Sequence, residues 1–262
     1  MSKKSDLKQK TGFVGFRRIT EPQVGVEVRA LSPVNLIVTD PDGFTITAQT
    51  LVVTEREHLR EVSGVLYYSE WDIDGDGTLD DIVIAPTLRT GDYIIEIIPE
   101  SDALPTDVYT LEIEAAGTTI TLAQNVPIND IPSQGYGIRS TGEAISQFIP
   151  VAIDIKPGSF PNSINPKSKG KIPVAILSAT TFDAPLEVDA SSLTFGRTGY
   201  EPSLAFCNSG GGDMNGDGIL DLVCHFHTQA AAFHSGDTQG ILKGETIDGT
   251  PITGKDSVRI VP

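Results

Sequence analysis

Positive charge is scarce in this chain and aromatic side chains are scarcer: 19 Lys and Arg stand against 35 Asp and Glu, for a net charge of −16, and aromatics make up 6% of 262 residues. So acidic a body repels phosphate backbones, and no nucleic-acid partner is expected. No apolar run approaches the roughly 18 residues of a membrane-spanning helix, so no membrane span is expected either. Residues 1–10 are basic but lack the apolar segment of a secretory leader, and residues 11–16 are too short to supply it. Helical periodicity is nearly missing. The exception is residues 54–62, where Thr54 and Glu57 have capping-box spacing ahead of Leu59 and Val62. Without crossover helices a parallel α/β fold is excluded. Also missing are a Gly-x-Ser-x-Gly elbow, a His-Glu-x-x-His helix and a phosphate-cradling glycine loop, and the chain is read as non-enzymatic.

What the chain does contain is one acidic nonapeptide written twice: Asp72-Ile-Asp-Gly-Asp-Gly-Thr-Leu-Asp80 and Asp213-Met-Asn-Gly-Asp-Gly-Ile-Leu-Asp221. Oxygen side chains recur at positions 1, 3, 5 and 9, and glycines at 4 and 6 let the backbone curl around one hard cation. The expected Ca²⁺ donors are Asp72, Asp74, Asp76, Asp80 and the Thr78 carbonyl in the first loop. In the second they are Asp213, Asn215, Asp217, Asp221 and the Ile219 carbonyl, with Gly77 and Gly218 at the sharp-turn position. An EF-hand would carry a bidentate glutamate at position 12, where this chain has Val83 and Cys224. Each loop runs instead into an apolar stretch of strand character, so it is expected to join two strands. Asp81 is a candidate for the further ligand in the first loop; water or a neighbouring carbonyl would serve the second. Asp-Gly turns also join strands without metal, and oxygen donors accept Mg²⁺ as well, although flexible loops favour the larger ion. Calcium sites need free calcium, so a secreted or cell-surface location is expected.

Cys207 and Cys224, the only cysteines, bracket the second loop. As facing residues of a hairpin they can form a disulfide, stabilising the fold by about 3 kcal/mol in the chain-entropy model. A pair of buried thiols is the alternative.

Almost every other segment reads as strand, punctuated by Gly, Pro, Asn and Asp. Ala116-Gly117 has the composition of a hairpin turn. A break around residues 140–150 divides the chain into a basic arm (1–20) and two parts, 21–145 and 146–262, each with one acidic loop. The arm holds six Lys and Arg against one Asp, a net of +5, which leaves −21 on the remainder. Two antiparallel β-sandwiches in tandem are the expected all-β fold.

The second part, with Ile153-Asp-Ile-Lys-Pro-Gly-Ser159, Lys171-Ile-Pro-Val-Ala-Ile-Leu177 and Asp256-Ser-Val-Arg-Ile-Val-Pro262, resembles a module near the C-termini of many secreted bacterial and archaeal proteins. The first part, with Leu36-Ile-Val-Thr-Asp-Pro-Asp-Gly43 and Gly91-Asp-Tyr-Ile-Ile-Glu-Ile97, resembles β-sandwich accessory domains of extracellular hydrolases, and the acidic loops resemble those of FG-GAP repeats. The resemblance implies extracellular accessory modules with no catalytic residues.

Other groups admit two readings. His225 and His227 share one strand face and, with His234, suit a zinc site or an ordinary exposed face. Trp71 with Tyr67 and Tyr68 suits a sugar platform beside the first loop or packing beneath it. Glu55, Glu57, His58 and Glu61 read as a solvated patch. The reading is a calcium-binding structural or adhesive module, with a glycan or another surface protein as partner. The alternatives are calcium-dependent carbohydrate binding and self-association, in which residues 11–18 add to a sheet edge of a neighbouring copy.

Overall fold

Alternation of buried and open side chains, period two, sets the architecture. A computed structural model describes residues 25–31, 33–47, 65–72, 75, 80–208 and 210–262; for 68–71 it describes the backbone only. The first strands are β1 (Val26–Leu31), β2 (Val34–Thr39), β3 (Thr45–Thr47), β4 (Leu66–Trp71), β5 (Asp80–Ala85), β6 (Gly91–Pro99), β7 (Val108–Ala115), β8 (Thr118–Pro127), β9 (Tyr136–Ser140) and β10 (Ile145–Pro150). There follow β11 (Ile153–Ile155), β12 (Ser163–Ile164), β13 (Lys171–Ile176), one helical turn α1 (Ala184–Glu187), β14 (Thr194–Gly196), β15 (Leu204–Cys207), β16 (Leu222–His227), β17 (Gln239–Glu245), β18 (Pro251–Ser257) and β19 (Arg259–Ile260). The fold is all-β. Residues 1–20 and 54–62, and with them the expected arm and short helix, lie outside the described residues.

A five-stranded sheet has the order β4-β5-β1-β7-β8, and a four-stranded one the order β11-β13-β16-β15. An eight-stranded sheet, β14-β17-β18-β10-β9-β6-β2-β3, takes strands from both halves of the chain. Apolar residues at alternate positions of β1, β2, β6 and β7, among them Leu36, Tyr93 and Tyr109, pack into one core with Ile138 of β9. Ile155, Val174, Ile176, Phe195, Phe226 and Leu242 centre a second. Phe195 meets Phe226 at 5.0 Å and Phe233 at 5.8 Å between ring centroids, the tilted contacts that aromatic quadrupoles favour. The β7–β8 turn is the expected one: Ala116 and Gly117 both have positive φ, 52° and 72°, which matches strand twist in a two-residue hairpin.

Two findings depart from a simple antiparallel tandem. β10 pairs with β18, and β12 with β19, in parallel. And β10 belongs to both halves: residues 145–148 pair with β9, while Ile149 and Pro150 pair with β18. With no helix on the connection, continuing straight into the next ladder satisfies the strand's backbone groups at once. Arg139 stitches this seam. It forms a fork with Asp92 (2.8 and 3.0 Å), lies 5.1 Å over the Phe148 ring and donates to Thr253 Oγ1 at 3.1 Å.

Candidate metal centres

The second acidic loop is the tip of the β15–β16 hairpin. Cys207 and Cys224 face each other on that ladder with their sulfurs at 2.02 Å, a disulfide. Beyond it Gly212 and Asp221 exchange backbone bonds of 3.1 and 2.9 Å, closing the neck of the loop. Inside, each odd-numbered side chain bends its own backbone. Asp213 accepts the N–H groups of Gly216 (2.6 Å) and Gly218 (3.0 Å), Asn215 accepts that of Asp217 (3.1 Å), and Asp217 accepts that of Ile219 (2.8 Å). Gly216 and Gly218 sit at φ 83° and 87°, where a side chain is strained. Asn215 Nδ2 also donates to Asp217 Oδ2 at 2.9 Å, joining positions 3 and 5. Asp213, Asn215 and Asp217 are exposed.

Asp221 differs from them. It is 0% exposed, and its two oxygens accept the N–H groups of Ser178 (2.8 Å) and Met214 (2.7 Å). The Ser178 hydroxyl in turn donates to the Leu220 carbonyl at 2.7 Å and accepts from the Ala184 amide at 2.9 Å. The loop is thereby tied to the segment after β13, 43 residues earlier, a partnership with no signal in the nonapeptide.

The first loop is the tip of the β4–β5 hairpin, with Trp71 opposite Asp80. Asp74, Asp76 and Thr78 lie outside the described residues. What is described repeats the second loop. Asp72 accepts the Gly75 N–H at 2.7 Å, Gly75 has φ 82°, and Asp80, the ninth residue, is 1% exposed. Asp81 faces the other side of β5 from Asp80. Its Oδ2 accepts the Leu36 N–H at 3.0 Å and the Tyr67 hydroxyl, and burial pushes its carboxyl above the usual range. It is thus engaged with β2 and β4. Tyr67 is committed to that bond and to Leu36, and burial raises its phenol. The side chains of Tyr68 and Trp71, the rest of the expected sugar platform, lie outside the described residues, as does the 55–61 patch.

Among the described residues no three His, Cys, Asp or Glu side chains form one cation-sized group. The second loop's donor set is nonetheless hard oxygen throughout: carboxylates of Asp213 and Asp217, the Asn215 amide oxygen and the Ile219 carbonyl that follows, with Asp221 fixed at its base. Its chemistry suits a calcium ion. The histidines stay apart: His225 stacks on Phe206 at 4.5 Å, while the His234 amide donates to Asp237 at 2.7 Å. Elsewhere a cleft of about 170 Å³ opens between β9–β10 and residues 177–182, with Tyr136 and Glu187 as its ionisable groups. No helix among the described residues is long and apolar enough to cross a membrane.

No protein-family model matches the chain, and no curated protein sequence does.

Proposed function

We propose that this chain is a calcium-binding, non-catalytic structural or adhesive module of a secreted or cell-surface protein, built as two β-sandwich units in tandem, each stiffened by an ion at a hairpin tip. The observation that carries this reading is that the repeat in sequence is also a repeat in geometry. Both loops cap hairpins, both make the same Asp-to-Gly bond at positions 1 and 4 around a positive-φ glycine, and both bury the ninth aspartate. Exposed carboxylates crowded on a tight bend repel one another, and a divalent cation removes that repulsion.

An ion bound only by the folded chain adds about 2.7 kcal/mol per site at one hundred times its dissociation constant. Calorimetric titration should therefore show calcium uptake, and the melting temperature should fall by several degrees in excess chelator. A flat titration with superimposable melts would refute the reading. The carbohydrate-binding alternative is favoured by one observation, the exposed Tyr200. The arm that would mediate self-association lies outside the described residues.

A further inference from the structure

We propose that the outward face of the eight-stranded sheet, around Tyr200 and across the seam between the halves, binds an acidic polysaccharide. The register of β17 and β18 sets Lys243 opposite Thr253 and Ile241 opposite Lys255. Their neighbours Leu242 and Ile252 are buried in the core, so these four side chains point outward.

The turn after β14 folds back onto this face. Thr194 Oγ1 donates to the Gly199 carbonyl at 2.6 Å, and the Glu201 carboxylate accepts the N–H groups of Thr198 (3.0 Å) and Tyr200 (3.1 Å). The Tyr200 ring is thereby laid over Lys243, whose Nζ lies 3.7 Å from the ring centroid. Though anchored at its backbone and at one ring face, Tyr200 is 68% exposed. A ring held in place yet open to solvent stacks on a ligand at little cost in side-chain entropy. Arg139, fixed by Asp92, reaches Thr253 from the far side of β10. Tyr200, Lys243, Thr253, Arg139 and Asp92 thus form one row across β17, β18, β10, β9 and β6. At strand spacings of about 4.8 Å it spans roughly 19 Å, an open track for a polymer rather than an enclosed site for a small molecule.

Lys243, Lys255 and Arg139 share this face with three carboxylates, those of Asp92, Glu201 and Glu245, of which Glu245 lies two residues along β17 from Lys243. Asp92 is neutralised by Arg139, and Glu201 is occupied by its turn. Lys243 and Lys255 take part in none of the ion pairs among the described residues. Ammonium groups outside any of these ion pairs, beside an exposed ring, give an anion a place to dock on a protein of net charge −16. A carboxylated sugar polymer supplies both partners: apolar ring faces for Tyr200 and carboxylates for the lysines. Duplex DNA is the other extended polyanion, but at one charge per about 1.7 Å of its axis it is repelled by the acidic body far more strongly than a sparsely carboxylated sugar polymer, and its stacked bases offer Tyr200 no open ring face.

The surface is separate from the acidic loops, so its test is run in excess chelator and its outcome is independent of calcium uptake. Affinity electrophoresis through gels containing hyaluronan, neutral dextran or duplex DNA should show retardation by hyaluronan alone, fading as salt is raised. Tyr200→Ala and Lys243→Gln should each weaken retention about five- to tenfold, with melts like those of the unaltered protein, while Tyr200→Phe should retain it. No retardation by hyaluronan, equal retardation by dextran or DNA, or variants that bind as the parent does would each overturn the proposal.

Discussion

Asp221 can be separated from the other loop oxygens by replacing it with alanine and melting the protein in excess chelator. Its carboxylate accepts two N–H groups, from Ser178 and Met214, inside a site with no solvent exposure. A buried donor left without a partner costs about 1–3 kcal/mol. Ser178 is buried and bears that cost in full; Met214 is partly open, so water recovers some of it. The sum is about 3 kcal/mol, equivalent to a fall of about 6–12 °C in Tm for a chain of this size. Asparagine recovers at most half, because one amide oxygen serves one N–H and its NH₂ group confronts the other. Asp213→Ala is the control: Asp213 is exposed, so its loss should alter the calcium response far more than the chelated melt. If Asp221→Ala melts like the parent protein in chelator, the anchor argument is wrong and Asp221 acts only through metal.

The disulfide spans 17 residues of sequence, and opening it in a Cys207→Ser, Cys224→Ser double variant should cost about 3 kcal/mol in guanidinium unfolding; an unchanged midpoint would show that the neck hydrogen bonds alone hold the hairpin. Asp81 gives a pH prediction. Its carboxyl is raised in the fold by burial, so between its unfolded and folded values the native state holds the extra proton. Its contribution is therefore full below about pH 4 and is lost as pH rises through the folded value. Chelated melts of Asp81→Asn should show a flatter pH dependence over that window than the parent, and parallel curves would contradict the assignment.

Strand character was legible wherever residues alternated: β1, β2, β6 and β7 fall where apolar side chains recur at every second position. The cysteine pairing was legible as a hairpin argument, and Ala116-Gly117 as a turn. What sequence could not show is long-range partnership. Nothing near Ser178 marks it as the anchor of a loop 43 residues later, and nothing near Asp81 marks the Leu36 amide as its partner. The shared sheet was hidden for the same reason, since the pairing of β10 with β18 rests on two residues at the end of one strand. Tyr200 read as one tyrosine among six; its place over Lys243 follows from the pairing of β14 with β17, which nothing in the turn itself signals.

The two acidic bends also show why a cation is a sensible way to finish such a fold. Six of the nine residues of each tip are aspartate, asparagine or glycine, and in the second Met214 and Leu220 stay exposed, so packing does little to order such a tip. The molecule holds it at two points instead. The ninth aspartate is sunk beneath the loop, and in the second bend a disulfide and a backbone bridge close the neck. Between these points the remaining bonds join exposed side chains to their own backbone, where water competes and the net gain of each is small. Glycine at positions 4 and 6 adds to the entropy lost on ordering. An ion drawing together the oxygens at positions 1, 3 and 5, exposed in the second bend, would supply order at the stretch that neither core packing nor the covalent clasp reaches. The stabilisation it brings is therefore expected to be local to the tips and additive to that of the disulfide, not a substitute for it.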